Sequence, residues 1–188
     1  MKITKTETKI SVQSPYNPDL LTPAKRLGGK WTGTCWEFDI RDEARVKALY
    51  LKIYGEWDED IQKVDIQVVL IDDICKWHSG IFCAGRQVAY ATGRDSGATL
   101  GDGVVVTEGD GFTSGGSVKN WTTRGIEDTV FELRDVPLSM AQKEVDNPSN
   151  DWTVNILVPR QTTGVLWKLF EFKRESHLLK SHTVSLFR

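Results

Sequence analysis

The chain has 188 residues, of which 39% are hydrophobic and 27% charged, a balance that supports a buried core and excludes a wholly disordered chain. No stretch reaches the roughly 18 apolar residues of a spanning helix, and no apolar run follows the charged start Met1-Lys2, so neither membrane insertion nor secretion is signalled. Three cysteines, Cys35, Cys75 and Cys83, are too few and too odd for a disulfide framework, and a reducing, cytoplasmic setting is expected.

The net charge of -2 conceals an asymmetry. Residues 1–55 hold ten Lys or Arg against six Asp or Glu, residues 56–159 hold eight against eighteen, and residues 160–188 hold six against two. The ends are therefore basic and the middle acidic, and charge of one sign gathered on a segment steers partners of the other sign.

Lys9 to Gln13 alternates as a strand does, and Ser14-Pro15-Tyr16-Asn17-Pro18 breaks it, with Asn17 placed to cap a helix that has Pro18 at its first position. Leu20, Leu21, Ala24 and Leu27 keep helical spacing up to Gly28-Gly29, although Pro23 would cost a helical hydrogen bond unless the regular part begins at Thr22-Pro23. Lys30-Trp31 and Cys35 to Phe38 read as a strand pair around Thr32-Gly33, with Trp36 and Phe38 on one face. From Asp42 to Tyr54, the stripe Val46, Leu49, Tyr50, Ile53 and Tyr54 predicts the chain's best helix, closed by Gly55.

Beyond Trp57-Asp58-Glu59-Asp60 the period changes to two at Val64, Ile66 and Val68, which marks a module boundary. Ile81–Cys83 and Gln87–Ala91 predict a hairpin turning at Ala84-Gly85, and short strands follow at Val104–Thr107 and Thr129–Leu133. Leu138–Val145 reads as a short helix and Trp152–Val158 as a strand, while Val165–Phe172 permits a helix, which we prefer, or a strand. The expected fold is α+β: an αβ module over 1–56, a β-rich barrel- or sandwich-like module over 57–159, and a basic amphipathic tail over 160–188.

Few patterns carry chemistry. Cys75, His78 and Cys83 put three zinc-type ligands within nine residues, but structural zinc needs four, so Asp72, Asp73, His177 or His182 would have to complete the shell, and two small core cysteines explain the pattern more simply. A Cys/His nucleophilic pair in the same stretch has no spacing to recommend it. Gly109 to Gly116 lacks the Gly-Lys-Ser/Thr ending of a phosphate loop and reads as a hairpin loop, and Asp102, Glu108 and Asp110 do not follow the order of a calcium loop. No serine elbow, paired zinc-protease histidines or dinucleotide fingerprint occurs, so no catalytic residue, metal or cofactor is assigned.

The first module interleaves Tyr16, Trp31, Trp36, Phe38, Tyr50 and Tyr54 with Lys25, Arg26, Lys30, Arg41, Arg45, Lys47 and Lys52. Aromatic faces stack on unpaired bases while Lys and Arg neutralise phosphates, although Trp36, Phe38, Tyr50 and Tyr54 also fit a core. Ser14-Pro15-Tyr16-Asn17-Pro18, Ala24-Lys25-Arg26-Leu27-Gly28-Gly29-Lys30-Trp31 and Trp36-Glu37-Phe38 together resemble a short domain of DNA-annealing helicases of the HARP type and the opening of proteins carried by plasmids and phages. That resemblance spans about residues 8–55, rests on Lys25, Lys30, Trp31 and Trp36, and implies single-strand binding or annealing without a helicase motor.

The leading expectation is thus a non-catalytic nucleic-acid-binding accessory protein of a mobile element, gripping DNA or RNA through Tyr16, Lys25, Arg26, Lys30, Trp31, Trp36 and Arg41. The alternative is a protein-binding inhibitor of a nucleic-acid-processing defence enzyme, in which Asp58, Glu59, Asp60, Asp72 and Asp73 of the acidic middle meet a basic groove.

Overall fold

Alternation of apolar and polar residues builds the first sheet. In a computed structural model that describes residues 1–57, 61–147 and 149–157, β1 (Lys2–Lys5) pairs antiparallel with β2 (Lys9–Gln13), placing Ile3 opposite Val12. Ile10 and Val12 are buried while Lys9 and Gln13 stay exposed, as a strand with one wet face requires. α1 (Pro18–Arg26) starts at Pro18, and Pro23 lies inside it, so the later start at Thr22-Pro23 is not adopted. Its one missing backbone bond is tolerated because Leu20 and Ala24 are buried against the sheet and helix ends fix both termini. Gly28 takes a left-handed φ of 73°, and Gly28 and Gly29 donate to Lys25 and Ala24 carbonyls at 3.0 and 2.9 Å, closing a Schellman turn. The Phe38 ring and the Ala24 carbonyl leave no room for a side chain on Gly29.

β3 (Lys30–Trp31) and β4 (Trp36–Asp39) complete the sheet in the order β1-β2-β4-β3, and a 3-10 turn over Ile40–Asp42 leads into α2 (Glu43–Tyr54). Val46, Tyr50 and Tyr54 of α2 meet Ile10, Val12, Trp36 and Phe38 in a core that Trp57 closes. Within it Tyr50 contacts Phe38 edge-on at 6.3 Å and lies 5.7 Å from both Tyr54 and Trp57.

A second core begins at Val64. β5 (Lys63–Leu70) buries Val64, Ile66, Val68 and Leu70, and β6 (Ile74–Trp77), β7 (Ile81–Cys83) and β8 (Arg86–Tyr90) follow. Next come β9 (Thr99–Leu100), β10 (Val104–Glu108), β11 (Phe112–Gly116), β12 (Trp121–Gly125), β13 (Val130–Pro137), α3 (Leu138–Asp146) and β14 (Trp152–Leu157). They form three antiparallel sheets, β10-β13-β5-β14, β11-β12-β6 and β7-β8-β9.

The result is a mixed helix-and-strand fold, and among the described residues none of its sheets closes into a barrel, one of the two forms expected of the β-rich module. Short strands of two to five residues separate the sheets before a circuit can form. The segment Gly109–Gly116, expected as a loop, is a strand from Phe112 onward, because each residue of β11 finds a partner on β12. Buried Thr123 joins two sheets: its hydroxyl accepts from Ala91 N–H at 3.0 Å and donates to the Ser79 carbonyl at 2.7 Å. No helix among the described residues is long and apolar enough to cross a membrane. Residues 160–188 and Asp58 to Asp60, for which the sequence predicts a tail and part of an acidic surface, lie outside the described residues.

Both cores belong to one compact unit, and buried Asn17 spans the junction. Its side-chain oxygen accepts from Asp19 N–H at 2.8 Å, capping α1, while its amide nitrogen donates to the Gly85 carbonyl at 3.0 Å in the β7–β8 turn. Asn17→Ala loses the cap and leaves Gly85 without its donor, so unfolding free energy in urea should fall by about 2–3 kcal/mol. Asn17→Asp keeps the cap acceptor but has no proton for Gly85. Wild-type stability in that variant would show that the bridge contributes nothing.

Candidate nucleic-acid interface

The end of α1 and the edge strand β3 bring together part of the predicted site. Lys25 and Arg26 occupy the last turn of α1, where a helix's negative end favours cations, and the Schellman turn leads directly into Lys30-Trp31. Among the described residues none of Lys25, Arg26 and Lys30 forms an ion pair. Trp31 is 53% exposed, because β3 is a two-residue edge strand with no neighbour beyond it among the described residues.

The register sorts these side chains by face. Trp31 sits opposite Trp36, so it shares the helix-covered face, and its ring lies 5.7 Å from that of Trp36. Lys30 sits opposite Glu37 on the other face, where the Glu37 carboxylate already holds Lys9 at 2.8 Å. Adjacent strand residues point to opposite sides, so Lys30 and Trp31 do not form one grip. Lys25, Arg26 and Trp31 remain as a basic and aromatic edge.

Two residues of the predicted site have other employment. Trp36 is only 5% exposed and stacks beside Phe38 in the core, which corrects its assignment to the nucleic-acid-binding residues. Alternation put it on the same face as Phe38, and burial of that face decides its role. Arg41 is exposed but engaged: its Nε and terminal nitrogen meet both oxygens of Asp39 at 2.9 and 2.8 Å. Those bonds, with that from the Arg41 backbone N–H, hold the Asp39 carboxyl down to about 2. Its folded pKa is depressed, so the pair is fully present above the ordinary carboxylate value of 3.8 and is lost only as pH falls through about 2.

Tyr16 lies elsewhere, with its ring 6.4 Å from Phe82, at a cleft bordered by Arg86, Tyr90 and Leu100. A further aromatic group was not predicted: Trp121 of β12 lies 5.3 Å from His78 and edge-on to Tyr90 at 6.0 Å, and Trp77 beside it in β6 is 65% exposed. Trp121 is distant in sequence from Trp77 and His78, and the pairing of β12 with β6 brings them together.

The Cys/His stretch does not converge. Cys75 is exposed on β6, Cys83 is buried on β7, and the His78 imidazole meets the Lys119 carbonyl at 3.1 Å. Among the described residues no three His, Cys, Asp or Glu side chains are grouped to hold a metal. Burial, and then the nearby Glu144 carboxylate, push the Cys83 thiol well above its ordinary value, so it is a protonated core residue rather than a nucleophile.

Acidic residues gather at one end of the second core. The turn carrying Asp72 and Asp73 is tied to that carrying Glu127 and Asp128, since Glu127 N–H donates to the Asp73 carboxylate at 2.9 Å and Asp128 N–H to the Leu70 carbonyl at 3.1 Å. The Glu108–Asp110 turn joins them through Ile126 N–H on the Gly111 carbonyl at 3.1 Å. Arg124 reaches Asp73 at 3.4 Å.

No protein-family model, curated protein or solved structure matches this chain. If the chain binds a single strand, as its sequence leads one to expect, Arg41→Gln should change the affinity less than about twofold because Asp39 already answers the charge of Arg41, whereas Asp39→Asn should strengthen it and steepen its salt dependence by about one charge. An Arg41→Gln loss as large as that from Lys25→Gln would contradict the pairing.

Proposed function

We propose that the protein is a non-catalytic nucleic-acid-binding accessory protein that contacts a single strand at the α1–β3 edge. The observation that carries this reading is Trp31: a half-exposed indole, backed by Trp36, that follows closely in sequence on two cations with no carboxylate partner among the described residues. An exposed aromatic face gives an unpaired base something to stack on whatever its sequence, and Lys25 and Arg26 would neutralise the flanking phosphates. Binding or annealing of DNA is also what the resemblance of about residues 8–55 to the HARP-type domain implies, with a plasmid or phage as the source of such a protein. Lys30, on the opposite face, is assigned a weaker part.

The test is fluorescence anisotropy of labelled single-stranded and duplex DNA across a salt series. Single-strand binding should weaken with salt, and Trp31→Ala should reduce affinity roughly 5- to 150-fold, the range expected of one stacked base. Lys25→Gln and Arg26→Gln should each lower the salt slope by about one. Absence of binding at low salt would overturn the proposal.

The acidic end supports a second reading, an inhibitor that occupies the phosphate-binding groove of a nucleic-acid-processing enzyme. Six carboxylates on three linked turns resemble a run of phosphates in charge. Inhibition of purified restriction nucleases by the wild type, abolished when Asp72, Asp73, Glu127 and Asp128 are neutralised together, would favour it. Equal inhibition by the neutralised variant would dismiss it.

A further inference from the structure

The cleft beside Tyr16 differs from the rest of the surface in how its cation is held. It encloses about 340 Å³ and is bordered by Pro15, Tyr16, Arg86, Tyr90, Leu100 and Asp102, among others. Arg86 is half-buried, and its two terminal nitrogens donate to the backbone carbonyls of Arg134 and Asp102. Among the described residues no carboxylate pairs with it. A guanidinium partly withdrawn from water and fixed by neutral acceptors keeps its charge for an incoming anion, and its remaining N–H groups suit phosphate oxygens.

Two exposed tyrosines stand at the same cleft, each braced by a second ring. Tyr16 rests 6.4 Å from Phe82, and Tyr90 meets Trp121 edge-on at 6.0 Å. Rings held this way lose little freedom on stacking against a planar ligand. The volume lies at the lower end of ligand clefts and accommodates one nucleotide.

We propose that this cleft takes one nucleotide of a single strand, with its base against Tyr90 and its phosphate on Arg86. The choice of ligand class rests on the nucleic-acid reading above, but the cleft uses none of the α1–β3 edge residues, so the two can fail separately.

The experiment is an amide NMR titration of the full chain with AMP, dTMP, adenosine and inorganic phosphate. Both nucleotides should shift the amides of Tyr16, Gln87, Tyr90 and Gly101, and adenosine or phosphate alone should bind at least about tenfold more weakly. Arg86→Gln and Tyr90→Leu should each weaken nucleotide binding about tenfold, while Trp31→Ala leaves it unchanged even if oligonucleotide binding is lost. Should Arg86→Gln unfold, Tyr90→Leu carries the test, since it keeps apolar bulk and removes only the ring. Absence of shifts at these amides, equal binding of phosphate alone, or nucleotide binding unchanged in Tyr90→Leu would each overturn the inference.

Discussion

The Asn17 side chain is the constraint on which the rest of the arrangement depends. One small amide caps α1 and holds the β7–β8 turn, and its two partners, an N–H and a carbonyl, dictate which end of the amide faces which way. The turn it holds is confined from other sides as well. Ala84 and Gly85 both have positive φ, as a tight hairpin needs, the Glu144 carboxylate accepts from Ala84 N–H at 2.9 Å, and a side chain on Gly85 would strike the Ile53 carbonyl. The first helix pair, the β7–β8 hairpin and α3 are therefore fastened at one point.

That fastening places both candidate surfaces with respect to α1. Tyr16 directly precedes the cap and borders the cleft, whereas Lys25 and Arg26 close the other end of the helix. A helix of nine residues is about 13 Å long. The cleft and the basic edge are thus presented from opposite ends of one short rigid element, so their separation is set by helix geometry and not by a flexible linker. The aromatic series that runs from Trp31 through Trp36 and Phe38 to Tyr50 gives the edge its rigidity, because the exposed ring stands on buried ones.

Much of the fold was legible because local chemistry and tertiary packing agree. Asn17-Pro18, the Gly28-Gly29 stop, the stripe of α2, the alternation of β5 and the Ala84-Gly85 turn each state in sequence what the structure adopts. Where the two part, long-range pairing decides. Nothing local marks Ile74–Trp77 or Phe112–Gly116 as strands, since β6 and β11 flank β12 and borrow their order from it. The candidate site divides the same way. The cations and Trp31 could be read from the sequence, but the separation of Lys30 from Trp31 needs the register, the burial of Trp36 needs the packed helices, and the engagement of Arg41 needs the position of Asp39. Arg86 gave no signal at all, because its significance lies in backbone carbonyls supplied by Asp102 and Arg134.

The central claim, that a single strand lies against the aromatic and basic edge, is tested most directly by ultraviolet cross-linking of the protein to an oligonucleotide followed by mass spectrometry of the joined peptides. Cross-links should fall on the peptide that contains Trp31. Cross-links confined to other peptides, with none at Trp31 while the strand is bound, would contradict the account.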